Sequence, residues 1–169
     1  EPDAGLCDIK NSGIYRIHEV QRPSMRFTRY TDLCLRVLMY AGLRHPELSS
    51  ISVIAEAYDV PESHLTKVVH DLGRAGLLET VRGRGGGLRL AKPLSEINLG
   101  AVVRLTETDF KLVECMAPAS GNCCLEPACT LTPIFEKAMK SFFEVLDQYT
   151  LEELLKPRRA LARLLDLKL

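Results

Sequence analysis

The sequence predicts a mainly α-helical chain with one small β-hairpin, built as a winged helix-turn-helix domain followed by a long helix. Three observations predict it. Two short helices, Ser52 to about Tyr58 and Glu62 to Gly73, are joined by about four residues, the layout of a helix-turn-helix. A basic hairpin follows at once, Leu77 to Arg82 and Leu88 to Ala91 around the run Gly83-Arg84-Gly85-Gly86-Gly87. Further on, Leu131, Ile134, Phe135, Ala138, Phe142, Val145 and Leu146 keep helical spacing, the strongest helical period in the chain.

Each element has a local reason. Residues 1–24 carry Pro2, Gly5, Gly13 and Pro23 without a sustained period and read as a flexible extension ahead of a natural start at Met25, with a genuine N-terminal arm as the alternative. Thr31 to Leu43 is a helix with Leu33, Val37, Tyr40 and Ala41 on one side, and Pro46 closes the turn after it. Ser52 serves as the N-cap of the second helix. Asp59-Val60-Pro61 makes a tight turn, and Leu65, Val68, Val69 and Leu72 line the inner side of the third helix, which Gly76 stops. Four glycines in five residues permit the positive φ values of a hairpin tip, and Pro93 ends the return strand. Asn98 to Glu107 is a short helix, Phe110 to Val113 reads as extended, and the stretch from Cys115 to Cys129 reads as a loop. Thr150 and Glu153 form a capping box for a final short helix, which Pro157 breaks ahead of a leucine-rich tail. The expected organisation is an extension at 1–24, a winged domain at 25–93, a connecting helix and cysteine loop at 94–130, and the long helix with its tail at 131–169.

The chain has 169 residues, 46% hydrophobic and 26% charged, the composition of an ordinary globular protein. The longest apolar stretch, Val37 to Leu43 counting Gly42, falls far short of the ~20 residues of a membrane span. Residues 1–24 lack the apolar core of a secretory signal, so a cytoplasmic location without membrane attachment is expected. Lys plus Arg and Asp plus Glu both number 22, which excludes a globally basic nucleic-acid binder. Locally the balance differs: residues 25–93 hold 10 basic and 7 acidic side chains, residues 94–169 hold 9 and 11. Such asymmetry points to a half that faces a polyanion.

The first site follows from the helix-turn-helix. The N-terminal residues of a recognition helix meet base edges in the major groove; here they are Glu62, Ser63, His64, Thr66 and Lys67. Arg82, Arg84 and Arg89 on the wing suit phosphate or a narrow minor groove. The alternative is a winged helix used for protein contacts, and the basic wing favours double-stranded DNA over it. The second site is Cys115-x7-Cys123-x5-Cys129. Soft thiolates select zinc or iron–sulfur clusters, and the paired knuckles of structural zinc are missing. An iron–sulfur cluster leads, with zinc (Cys124 or a histidine as fourth ligand), a disulfide switch and free thiols as alternatives. Cys123 is read as the ligand and its neighbour Cys124 as a spare. Asp32 and Cys34 are candidates for a fourth ligand, but an acid in a first helical turn is explained by the helix dipole alone. The histidines His18, His45, His64 and His70 form no ligand spacing, and the glycine run lacks the Gly-Lys-Ser/Thr ending of a phosphate loop. No enzyme is expected.

Five segments carry a resemblance: 25–32 (Met-Arg-Phe-Thr-Arg-Tyr-Thr-Asp), 74–78 (Arg-Ala-Gly-Leu-Leu), 81–93 (Val-Arg-Gly-Arg-Gly-Gly-Gly-Leu-Arg-Leu-Ala-Lys-Pro), the three-cysteine loop, and 146–154 (Leu-Asp-Gln-Tyr-Thr-Leu-Glu-Glu-Leu). From Met25 to about Leu155 the chain resembles the winged-helix iron–sulfur transcriptional regulators of the NsrR, IscR and RirA group. Residues 108–115 and 126–129 look most like its nitric-oxide-sensing NsrR-type members. The resemblance implies a DNA-binding domain plus a long dimerisation helix from Leu131, a homodimer, and a cluster held by Cys115, Cys123 and Cys129. It implies a 4Fe–4S cluster, with 2Fe–2S as the alternative, and Asp32 as a ligand from the partner subunit. The implied function is repression at a DNA operator with nitric oxide as effector. An iron-responsive or cluster-biogenesis regulator of the same fold is the alternative, and a zinc-stabilised interaction module the alternative of a different class.

Overall fold

Thr28 opens the first helix by accepting the backbone N–H of Thr31 on its hydroxyl. In the computed structural model, which describes residues 26–113, 116, 125 and 128–167, α1 therefore starts earlier than its periodicity suggests and spans Arg29–Arg44. The expected extension at 1–24 lies outside the described residues. After the cis His45–Pro46 bond, Ser50 caps α2 (Ile51–Ala57) by accepting from Val53 N–H. This corrects the assignment to Ser52. That residue lies inside the first turn and hydrogen-bonds the Ser50 hydroxyl at 2.8 Å. Asp59 turns the chain at φ 50°, and α3 (Glu62–Arg74) follows. Its end is closed by Gly76 at φ +69°, which lets Leu77 N–H reach back to Leu72 C=O at 3.0 Å.

Strands β1 (Leu78–Val81) and β2 (Gly87–Leu90) pair antiparallel, with Leu78 opposite Leu90 and Glu79 opposite Arg89. Leu78, Leu88 and Leu90 turn inward, while Glu79 and Arg89 form an ion pair of 3.1 Å on the outer face. The glycines at the tip have two different reasons. Gly83 and Gly85 adopt φ +102° and +79°. Gly87 passes so close to Ser49 that a Cβ would lie 2.6 Å from its carbonyl oxygen. That approach lets Ser49 bridge to Leu88 through two backbone hydrogen bonds of 2.8 and 2.9 Å. The hairpin is thereby tied to the segment entering α2.

A 3-10 turn at Leu94–Glu96 leads to α4 (Leu99–Thr106), capped by the Asn98 side chain on Ala101 N–H. Phe110 to Val113, read as extended, carries neither helix nor paired strand. Then come α5 (Leu131–Leu146) and α6 (Leu151–Leu154), with the Thr150–Glu153 capping box in place. The leucine-rich tail is a further helix, α7 (Arg158–Leu164). Pro157, read in the sequence as a breaker, sits at its N-cap, where a missing N–H costs nothing.

The chain divides into two compact units. The larger holds Phe27–Phe110 and Lys137–Leu169, and the other includes Lys111–Glu136. The core of the larger unit joins Leu33, Val37, Leu38 and Ala41 of α1 to Ile54, Leu65, Val68, Leu72, the inward leucines of the hairpin, Ile97, Val102, Leu151 and Leu155. It joins α3 and the wing through one shared core. Leu161, Leu165 and Leu167 of the tail pack against it, and Arg158 donates to the Leu43 carbonyl at 2.6 Å.

Candidate nucleic-acid interface and cluster ligands

The inner face of α3 is set by Leu65, Val68, Val69 and Leu72, all buried. The opposite face must then meet solvent. Glu62, Ser63, His64, Thr66 and Lys67 are all exposed there, in the first turns of the helix. His70 and Arg74 continue the exposed surface. Thr66 donates its hydroxyl to the Glu62 carbonyl at 3.1 Å, which leaves its lone pairs outward. Lys67 is the residue whose position is most defined. Its ammonium lies 2.6 Å from Asp71 Oδ2 and 5.3 Å from the centroid of the Tyr30 ring. Tyr30, from α1, donates its phenol to the same Oδ2 at 2.7 Å. Lys67 first and then Tyr30 hold the Asp71 carboxyl below the usual range.

On the wing, Arg82 and Arg84 are exposed and have no ion-pair partner among the described residues. Arg89 differs. Its guanidinium reaches both carboxylate oxygens of Glu79, at 3.1 and 3.2 Å. The stretch from Thr80 to Lys92 is free of acids in sequence, but strand pairing brings Glu79 across from Arg89. Two arginines therefore carry the wing's net positive charge.

Of the loop cysteines, Cys115, Cys123 and Cys124 lie outside the described residues. Cys129 is half-buried two residues before α5, and its Sγ accepts the Leu131 N–H at 3.4 Å. A backbone donor aimed at sulfur suits a thiolate ligand of iron, whose potential such hydrogen bonds tune. Asp32 and Cys34 are separated by burial. Asp32 is half exposed on α1 and pairs with Arg36 at 2.9 Å. Cys34 is fully buried, and that burial pushes its thiol up to about 11, which disfavours the thiolate form. Among the described residues no three His, Cys, Asp or Glu side chains gather around a metal position.

Sequence reasoning passed over Glu107. Its carboxylate is 9% exposed, and Oε2 accepts Thr28 N–H at 2.9 Å, the Thr28 hydroxyl at 3.1 Å and the Thr31 hydroxyl at 2.9 Å. The segment entering the cysteine loop is thus fastened to the first turn of α1. The partners lie 76 and 79 positions away, so no local pattern signals the contact.

The family model described as Rrf2, iron-dependent transcriptional regulator, matches residues 27–157. The HTH-type transcriptional regulator NsrR of Oceanobacillus iheyensis is 46% identical over 145 residues, covering 85% of this chain and 99% of that protein. The regulator of the same name from Bacillus subtilis is 44% identical over the same shares. Among solved structures, IscR of T. potens superposes with a TM-score of 0.63 at 25% identity, covering 79% of this chain and 88% of the other. Oxidised CymR of Staphylococcus aureus does so with a TM-score of 0.61 at 25% identity, over 78% and 97%. No helix among the described residues is long and apolar enough to cross a membrane.

Proposed function

The chain belongs to the Rrf2 family and is a DNA-binding transcriptional regulator, and from that premise we propose that it is a homodimeric repressor whose operator affinity is set by an iron–sulfur cluster responsive to nitric oxide. The observation that carries this reading is the reach of the likeness: 44–46% identity to NsrR proteins over nearly their whole length, including the interval that holds Cys115, Cys123 and Cys129. The donor set fits. Three cysteines in one loop, one of them with its sulfur on a backbone N–H, suit thiolate ligation of iron. Cys115, Cys123 and Cys129 would hold the cluster, and Asp32 of the partner subunit would complete it from the open side of α1. Cys124 stays outside the set, because adjacent residues rarely reach one metal. When bound, the cluster supplies iron sites that nitric oxide attacks. A 4Fe–4S centre matches three thiolates plus one oxygen donor.

The chain's own residues do the rest. Ser63, His64, Thr66 and Lys67, with Glu62 at the helix start, present donors and acceptors to base edges. Arg82 and Arg84 supply backbone contacts, and Arg89 supplies a weaker one through its share with Glu79. Leu131, Ile134, Ala138 and Val145 form an exposed apolar stripe on α5, which a second copy would cover.

The test is a selection of sites from a random DNA pool with anaerobically purified chain, followed by binding measurements before and after nitric oxide. A broad absorption near ~400 nm, tight binding to a selected site, and its loss with nitric oxide are the expected results. A colourless protein that selects no site sinks the reading. The family's iron-dependent description favours a second reading, an iron-responsive regulator. Release of DNA on iron chelation but not on nitric oxide would establish that one instead.

A further inference from the structure

The recognition helix carries one cation whose position is set by another helix. Lys67 Nζ is held by Asp71 one turn on, at 2.6 Å, and lies over the Tyr30 ring. Tyr30 comes from α1, packs against the core, and fixes the Asp71 carboxylate with its phenol at 2.7 Å. The exposed Lys67–Asp71 pair by itself is a weak restraint. The phenol is what makes it a defined one, because a carboxylate already fixed by one donor presents its oxygen to the ammonium in one place.

A free lysine on a recognition helix is a mobile point charge that any phosphate attracts, whatever the sequence. A lysine tethered to a carboxylate has lost most of that attraction. It retains two N–H donors, aimed in fixed directions, and such donors reward only an acceptor pair in the right place, as guanine O6 and N7 provide.

We infer that Tyr30 and Asp71 are positioning residues that clamp Lys67 as a reader of guanine edges and keep it from serving as a general phosphate contact. The inference deepens the DNA-binding reading and rests on it. Neither residue need touch DNA. Selectivity would be stored in a contact between α1 and α3, so a shift of the first turn of α1 would change which sequences are bound as well as how tightly.

The experiment compares binding of the anaerobically purified full chain to its selected site and to random-sequence duplex, at several salt concentrations. Tyr30→Phe keeps the ring and removes only the phenol oxygen. It should lower the ratio of selected to random binding about 2- to 10-fold, the equivalent of one net hydrogen bond. It should also steepen the salt slope on random DNA by ~1 per lysine released. Asp71→Asn, a surface change, should do the same. In a Lys67→Met background neither substitution should alter the ratio further. A loss of ratio of equal size in both backgrounds would make Tyr30 merely structural and overturn the clamp. So would an unchanged ratio in Tyr30→Phe and Asp71→Asn, or in Lys67→Met. A parent chain that prefers no sequence takes down the DNA-binding reading itself, and the clamp with it.

Discussion

Glu107 shows how one side chain can carry more structure than its neighbourhood suggests. One carboxylate oxygen satisfies a backbone N–H and two hydroxyls at the start of α1, and the Thr31 residue it serves is fully buried. Replacing the carboxylate with an alkyl group of similar size strands the buried Thr31 hydroxyl away from water, while Thr28 stays exposed. Each stranded buried donor costs ~1–3 kcal/mol. Glu107→Leu should therefore lower the urea midpoint of the apo-protein by an amount matching at least one such loss, with the m-value unchanged. Glu107→Gln retains an acceptor oxygen and should lose less. Equal midpoints for the Leu variant and the parent would mean that the threonines find other partners. Asp32, a few positions along the same helix, has an exposed pairing with Arg36 among the described residues, worth ~0–1 kcal/mol. The fold has little need of that acid, which leaves it free for a ligand's role.

Among the elements, the hairpin separates apparent charge from available charge. Arg82, Arg84 and Arg89 look equivalent in sequence, but the β1–β2 register pairs Arg89 with Glu79. The double change Arg82→Ala, Arg84→Ala should flatten the log–log salt dependence of DNA binding by ~1 for each phosphate that loses its arginine, whereas Arg89→Ala should flatten it less. Equal effects of Arg84→Ala and Arg89→Ala would show that DNA breaks the Glu79 pair. A second pairing between elements makes a pH prediction. Arg104 of α4 grips Asp147, just past α5, through two hydrogen bonds of 2.6 and 2.7 Å, and stacks over Phe143 at 4.2 Å. The hydrogen bond from Arg104 holds the Asp147 carboxyl below its usual range. A depressed carboxyl stabilises the fold above its unfolded value of ~3.9 and loses that contribution as pH falls toward the folded value. The parent should melt above Asp147→Asn at neutral pH, and the gap should close below ~3.9. A gap that persists at lower pH would assign the effect to packing on Phe143.

At the level of the whole chain, what was legible in the sequence follows from the range of each interaction. The amphipathic period of α3, the glycine tip and the Thr150–Glu153 box are local signals, and each stands where it was read. So does the outward face of α3, because burial of Leu65, Val68 and Leu72 leaves it no alternative. The Tyr30–Asp71 contact spans 41 positions and the Glu107 contacts nearly twice that; neither has a sequence signature. Pro157 separates two helices as expected, with α6 ending before it, and it also opens α7, because proline stops a helix and starts one equally well. The helix α5 illustrates a third kind of signal, a pattern that is legible but incomplete within one chain. None of its described residues is buried, and Ile134 is 59% and Val145 54% exposed on the stripe that Leu131 begins. An apolar stripe of that length on a strongly amphipathic helix is stable in water when a second surface covers it, and a twofold pairing would bring the same residues face to face. Ile134→Glu places a carboxylate in that seam on both subunits. Since Ile134 buries little within its own chain, the thermal stability of the winged unit should hardly move, while sedimentation should shift from dimer to monomer at micromolar concentration. The two recognition helices would then bind half-sites independently, and the loss of linkage should weaken binding to a two-half-site operator by about 100-fold or more, well beyond any single wing arginine. A variant that stays dimeric and keeps its operator affinity would show that α5 meets something other than its own copy.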